Sequence, residues 1–387
     1  MRGCISRRSS GTYSWVVETG RNADGRRRQK SKGGYRSKKE AQEALNAILA
    51  ELQAGRYVEP REVLVGDYLR EWNAAMRPNV GGRTHERNTG IIEQHLIPAL
   101  GPLKLAELRP LHIQKLLTAW QQPGPDGRPR WSQATLRKHY HTLHRALRDA
   151  VRLQFIAINP ADSVEVPRIS GQTRKIKVLS EAQTAELLRR AAGNRLQLPM
   201  LVAVSSGLRR GELLALRWSD VDFEAGALRV EQAVEETGAG LRLKSPKTAR
   251  SRRRVPLPTQ TMAALKRHKA AQDALRLQVG PAYHADLDLV LATPDGSPWF
   301  PSNLDRAWRN FRRGLPDDLQ IRWHDLRHSH ASQLLAHGVH AKIVSERLGH
   351  ASIGITLDTY SHLLPGLQEE AVAKLEESLG AALAGIC

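Results

Sequence analysis

Between positions 323 and 360 the chain gathers side chains that suit a phosphodiester. Trp323-His324-Asp325-Leu326-Arg327-His328-Ser329-His330 is followed by Leu348-Gly349-His350 and then by Asp358-Thr359-Tyr360. Arginine offers a planar fork that grips two oxygens of one phosphate. Imidazole can donate a hydrogen bond or carry a proton, and tyrosine can attack as a covalent nucleophile. Each residue taken singly has a plainer reading, because paired histidines form satisfied polar patches and a single tyrosine usually packs. His324 and His328 also have the four-residue spacing of two metal ligands on a helix. Against zinc, Arg327 would set a fixed cation beside the ion, and the sequence holds no His-Glu-x-x-His pattern.

These groups need elements to hold them. Leu326, Ala331, Leu334 and Leu335 recur at helical spacing and Gly338 ends the run, so His324 and Arg327, three apart, share one helix face. Upstream, Ser180-Glu181-Ala182-Gln183 reads as a capping box that opens a helix. An apolar helix over 198–206 leads into Gly207-Leu208-Arg209, with Glu212 one turn beyond Arg209. Residues 227–230, 241–244 and 253–257 read as short strands, with turns at 236–240 and 245–252 and Lys247 at the tip of the second. Helices are expected over 261–277 and 303–313. A C-terminal stripe of Leu367, Ala371, Leu375 and Leu379 predicts a last helix over 365–379.

Ahead of this lies an all-helical stretch. Helices are expected over 67–76, over 84–96 with Pro98 as the stop, and over 110–120 with proline in the first turn. A Pro/Gly loop follows at 121–130. Ser132 caps a fourth helix, whose apolar stripe is Leu136, Tyr140, Leu143, Leu147 and Val151. Its other side carries Arg137, Lys138, His141, Arg145, Arg148 and Arg152, a solvated face or a DNA-facing one. A polar linker at 162–177 separates this stretch from the C-terminal domain. The first forty residues hold twelve basic and three acidic side chains. Within them a strand over 13–18, a turn at 22–25, a return strand over 27–32 and a helix opened by Ser37-Lys38-Lys39-Glu40 make a small folded module.

The whole chain has 387 residues, enough for two or three domains, and 59 Lys and Arg against 39 Asp and Glu give a net charge of +20. Such an excess points to a polyanionic partner. A membrane is disfavoured, since the apolar run at 198–208 is short and interrupted by Pro199 and Gly207. The N-terminus lacks the apolar core of a secretory signal. Two cysteines, Cys4 and Cys387, give no disulfide framework or cysteine metal site, which fits the cytoplasm. No Gly-Lys-Ser or Gly-Lys-Thr is present, which argues against a P-loop ATPase.

Gly207-Leu208-Arg209 with Glu212, Lys247 in a β-turn, His324-Asp325-Leu326-Arg327, Leu348-Gly349-His350 and Tyr360 together resemble the tyrosine recombinase (phage integrase) signature in order, spacing and context. The resemblance is strong over 178–365. Residues 63–165 are similar by pattern to the family's helical core-binding domain, and residues 1–60 to the arm-type DNA-binding module of heterobivalent, lambda-integrase-like members. The one local departure is Ser206, where threonine is common. The implied fold is multidomain and mainly α with small β-sheets. It consists of an N-terminal sheet-plus-helix module (1–60), a helical core-binding domain (63–165) and an α+β catalytic domain (175–387).

The resemblance implies catalytic roles for Arg209, Lys247, His324, Arg327, His350 and Tyr360, with Glu212 as orienter. Tyr360 would form a 3′-phosphotyrosyl bond and release a 5′-hydroxyl, His324 and His350 would hydrogen-bond the phosphate and handle the tyrosine proton, and Lys247 would protonate the leaving oxygen. No cofactor, metal or ATP is needed, because the phosphotyrosine conserves the bond energy. The implied partners are double-stranded attachment sites, three further copies of the chain in a tetramer, an excisionase and a DNA-bending host factor, without a membrane. A type IB topoisomerase and a non-catalytic DNA-binding regulator are the competing readings. The first would not need the basic N-terminal module, and the second leaves Arg209, His324, Arg327, His350 and Tyr360 together unexplained.

Overall fold

The computed structural model describes residues 3–21, 24–53, 62–125, 127, 130–166, 176–244, 252–360, 372–373, 375–377 and 379–380. The chain divides into two compact units, Met1–Gly171 and Gln172–Cys387.

The first unit opens with an antiparallel sheet of β1 (Gly3–Arg7), β2 (Tyr13–Arg21) and β3 (Arg27–Tyr35), in the order β1-β2-β3. The sequence led us to expect β2 and β3; β1 is an added edge strand. Helix α1 (Lys38–Gln53) buries Leu45 against Trp15 and Val17. Full burial of each such side chain stabilises by about 1.5–3 kcal/mol, and the Trp15 indole N–H is satisfied by the Tyr35 hydroxyl at 3.0 Å. The expected cap is present in altered form. Ser37 Oγ accepts from the Glu40 N–H at 3.1 Å, but the Glu40 carboxylate reaches back to the Arg36 N–H rather than to that of Ser37.

Next come α2 (Val65–Met76) and α3 (Gly82–Ile91), a π-helical turn (Ile92–Leu96), α4 (Ile97–Leu100), α5 (Pro110–Gln121) and α6 (Gln133–Arg152). Pro98 does not stop the second helix, as the sequence had suggested. The π turn shifts the bonding register just before the proline, which has no N–H to give, and the helix continues to Leu100. Ser132 caps α6, accepting from the Thr135 N–H at 3.2 Å. The apolar stripe of α6 packs inward, with Tyr68 donating to the Ala146 carbonyl and Trp72 to Asp149. On the opposite side Lys138, His141, Arg148 and Arg152 are exposed.

In the second unit, Ser180 and Gln183 form the expected reciprocal capping box of α7 (Glu181–Arg190). Helices α8 (Gln197–Ser206) and α9 (Arg210–Leu214) follow. A three-stranded antiparallel sheet contains β4 (Val221–Asp222), β5 (Ala227–Val230) and, after the hairpin of β6 (Ala233–Thr237) and β7 (Gly240–Lys244), β8 (Arg253–Pro256), in the order β4-β5-β8. Strand β6 takes in Glu236 and Thr237, which the sequence had assigned to a turn. The remaining helices are α10 (Thr259–Val279), α11 (Pro301–Arg312), α12 (Asp325–Ala336), α13 (Ala341–Leu348) and α14 (Ile353–Tyr360). The main core runs from Leu179 to Leu326. A satellite core of Ala331, Leu335, Val344, Leu348 and Tyr360 ties the last three helices together. Of the C-terminal stripe, Leu375 and Leu379 are exposed helical residues, and Leu367 and Ala371 lie outside the described residues.

Candidate active site

Arg209, His324, Arg327, His328, Gly349, His350 and Tyr360 line one cavity of about 370 Å³ in the second unit. Local sequence explains each placement. Gly207 ends α8 with φ +68°, a left-handed conformation that glycine adopts at little cost, and a Cβ there would lie 2.6 Å from the His330 ring. The chain can therefore turn sharply and set Arg209 at the start of α9. At α12, Asp325 accepts from the Arg322 N–H at 2.8 Å and pairs with its guanidinium, which fixes the first turn and the adjoining His324. Gly349, at φ +66°, ends α13, and the His350 N–H donates to the Ser345 carbonyl at 3.0 Å.

The two arginines are held by backbone. Arg327 is 3% exposed and donates to the Gly207 carbonyl at 2.6 Å and the Leu348 carbonyl at 2.7 Å. Burial, and then the charge of Arg209, lowers its pKa to about 9, which leaves it charged at neutral pH. Arg209 donates to Glu212 at 2.8 Å and to the Gly349 carbonyl at 2.9 Å. A guanidinium has five N–H donors, so these bonds orient the fork without exhausting it.

Glu212 is the hub beneath them. It is buried, accepts from the Arg209 N–H at 3.0 Å, and pairs with Arg253 at 2.8 Å. Burial alone would raise its carboxyl, but Arg253, and then Arg209, outweigh that and hold it below the usual range. Arg253 also donates to the Arg347 carbonyl at 2.6 Å. Arg347 in turn donates to His330 Nε2 at 2.9 Å while His330 Nδ1 sits 2.7 Å from the Val204 carbonyl. An accepting Nε2 and a donating Nδ1 define a neutral imidazole. Burial and the neighbouring Arg347 accordingly push His330 down to about 4.

The remaining groups face Tyr360. Its side chain is buried, and burial pushes the phenol up to about 12. The hydroxyl lies 2.8 Å from His328 Nδ1. His350 Nδ1 instead meets Thr356 Oγ1 at 2.8 Å, and burial, followed by Arg327 and Arg209, lowers its pKa to about 4. His324 is lowered by burial and by Arg327. Its ring meets that of His328 edge to face, with centroids 4.9 Å apart. These two histidines, read from the sequence as a weak metal pair, are thus neighbours in a phenol-binding cluster. Among the described residues no group of three or more His, Cys, Asp or Glu is arranged for a metal ion.

Six of the seven residues singled out from the sequence therefore converge: Arg209, Glu212, His324, Arg327, His350 and Tyr360. Lys247 lies outside the described residues. Sequence reasoning missed His328 as the partner of Tyr360, Thr356 as the partner of His350, and Arg253 as the inner partner of Glu212. The alternation along β8, with Arg253 and Val255 turned inward and Arg254 and Pro256 outward, could have separated Arg253 from its neighbours.

The phage integrase family matches residues 177–366, the phage integrase N-terminal SAM-like domain matches 64–121, and an Arm DNA-binding domain matches 6–52. A XerC-like tyrosine recombinase of Caldanaerobacter subterraneus subsp. tengcongensis is 28% identical, over 94% of this chain and 96% of its own length. An integrase of Streptomyces ambofaciens is 30% identical over 88% of this chain and 87% of its own. The fold resembles that of a lambda integrase tetramer bound to a Holliday junction, with a TM-score of 0.54 at 19% identity, over 90% of this chain and 95% of that one. The chain belongs to the phage integrase family of tyrosine recombinases, enzymes that cut and transfer DNA strands.

Proposed function

We propose that the cavity around Tyr360 is the strand-cleavage site of an integrase acting on double-stranded attachment DNA to insert or excise a mobile element. One observation carries the reading: Tyr360 and the forks of Arg209 and Arg327 open onto the same cavity of one chain. Tyr360 attacks the scissile phosphorus and forms a 3′-phosphotyrosyl bond. Arg209 and Arg327 bind the non-bridging oxygens where negative charge grows, a role suited to donors fixed before the reaction begins. His324 and His350 hydrogen-bond the phosphate. Glu212 keeps Arg209 aimed. Lys247 protonates the departing 5′-oxygen. Tyr360 attacks in cis, since its own chain supplies the two arginines beside it. The chemistry requires neither metal nor ATP.

We further propose three structural roles for the rest of the chain. Residues 1–60 read a DNA site distinct from the one being cut. The exposed basic side of α6, within the helical region 63–165, tracks the backbone of the cleaved duplex. Leu375 and Leu379, exposed on the C-terminal helical residues, dock on a neighbouring copy in a tetramer; the lambda integrase compared above is itself a tetramer on a Holliday junction. An excisionase and a host DNA-bending protein set direction, and the enzyme works on DNA in the cytoplasm. The test is Tyr360→Phe on a nicked suicide duplex. It should bind as the parent does and form no covalent adduct. Undiminished adduct would overturn the assignment.

A further inference from the structure

We infer that His328 is the proton acceptor for the Tyr360 nucleophile. This rests on the assignment of Tyr360 just made and adds a residue to it. His328 Nδ1 is 2.8 Å from the Tyr360 hydroxyl, and among the described residues it is that hydroxyl's one hydrogen-bond partner. The other two imidazoles of the cavity are placed for different work: His350 Nδ1 is engaged by Thr356, and the His324 ring stands edge-on to His328. Tyr360 is 1% exposed in the DNA-free chain, so its hydroxyl meets His328 rather than open solvent.

The helix geometry fixes this contact. His328 lies one turn into α12, while Tyr360 closes α14, and the satellite core of Ala331, Leu335, Val344 and Leu348 clamps these helices around α13. Both ends of the hydrogen bond therefore sit on packed helices. With the phenol donating, Nδ1 is the bare nitrogen of a neutral ring and Nε2 carries the proton. Burial, and then His324, push the ring down to about 4, so it is neutral at physiological pH with Nδ1 able to accept the phenol's hydrogen bond, and negative charge developing on the phosphate beside it is what raises its proton affinity in the step. In the step, the Tyr360 Oη–P bond forms as the P–O5′ bond breaks. The phenolic proton passes to His328 Nδ1, and the leaving 5′-oxygen takes its proton from the general acid. Religation reverses both transfers, and His328 returns the proton to the phenolate as it leaves.

Three substitutions test this by single-turnover cleavage of a nicked suicide duplex, with duplex affinity and thermal unfolding measured alongside. His328→Leu removes the acceptor. His328→Asn restores a polar atom at the position of Nδ1, and His328→Gln places one nearer that of Nε2. We expect His328→Leu to bind DNA normally and cleave about 100-fold or more slower, in the range of lost acid–base catalysis. His328→Asn re-forms the hydrogen bond but cannot take up the proton, so it should stay slow, within about tenfold of His328→Leu, and His328→Gln should do the same. Cleavage by His328→Leu within twofold of the parent, or His328→Asn restored to within about tenfold of the parent, would overturn the inference. Tyr360→Phe on the same substrate separates the two proposals. Adduct surviving that change removes the nucleophile assignment itself. Adduct lost there but intact in His328→Leu removes only the role of His328.

Discussion

The N-terminal module and the cavity at Tyr360 are both rich in cations and use them in opposite ways. In the module, Arg27, Arg28 and Lys32 lie exposed along β3, and the Arg27–Glu18 pair is loose at 4.0 Å. Such charges attract a polyanion at range, are screened by salt, and carry little geometric information. In the cavity Arg327 is buried, and beneath it the Arg253 side chain is 6% exposed; backbone carbonyls and the Glu212 carboxylate fix their directions. Removing charges from water is costly, so they persist only because every partner is in place. Net charge reports on binding, whereas burial of a charge reports on chemistry.

The largest effect should come from the buried side of that contrast. Arg327→Ala should slow adduct formation by about 10²–10³-fold or more, as loss of a fixed oxyanion donor does. Arg327→Lys, with the charge but not the fork, should recover only part of it. A rate unchanged in Arg327→Ala would mean the buried arginine is structural only. Next comes Glu212→Ala, which removes the carboxylate that pairs with both Arg209 and the Arg253 side chain. It should cost about 3–5 kcal/mol in denaturant unfolding of the catalytic domain. A loss under 1 kcal/mol would show that Arg253 is solvated in practice.

Acid should separate the two regions further. His328, His330 and His350 are each lowered to about 4 by burial and by neighbouring His324, Arg347 and Arg327 respectively. Folding thus favours their neutral forms. Each contributes stability that is complete above the unfolded pKa of about 6.5 and is lost as pH falls towards 4. The first 53 residues contain no histidine. Segment-resolved hydrogen exchange from pH 7 to pH 4.5 should therefore show opening in 325–360 before 3–53, and the reverse order would contradict the linkage.

The smallest effect is expected from deleting residues 1–62. Cleavage of a short core duplex should be unchanged, while binding to full attachment DNA should lose much of its steep salt dependence. If footprints of the full and truncated chains coincide on that DNA, the module adds only non-specific charge.

Much of this was legible in the sequence where one local signal sufficed. The Ser180–Gln183 capping box, Gly338 at φ +73° and the inward stripe of α6 are local decisions of cap, turn and period. Strand β1 was missed because five mostly exposed residues show no clear alternation, and β6 because Glu236 and Thr237 were read as part of the turn until β7 pairs with them. The six converging site residues could be named because their types and order form a family pattern. His328 was seen only as the neighbour of His324. Its real partner, Tyr360, is 32 positions away and reaches it only after α13 folds the chain back.

The most direct test of the central claim is to map the bond. Trapped adduct from the nicked suicide duplex should be digested and the DNA-linked peptide sequenced by mass spectrometry. A 3′-phosphoryl group is expected on Tyr360, formed even when the only intact Arg209 belongs to the same chain. Attachment to any other residue, or adduct restored on mixing Tyr360→Phe with Arg209→Ala chains, would contradict a nucleophile acting within its own cavity.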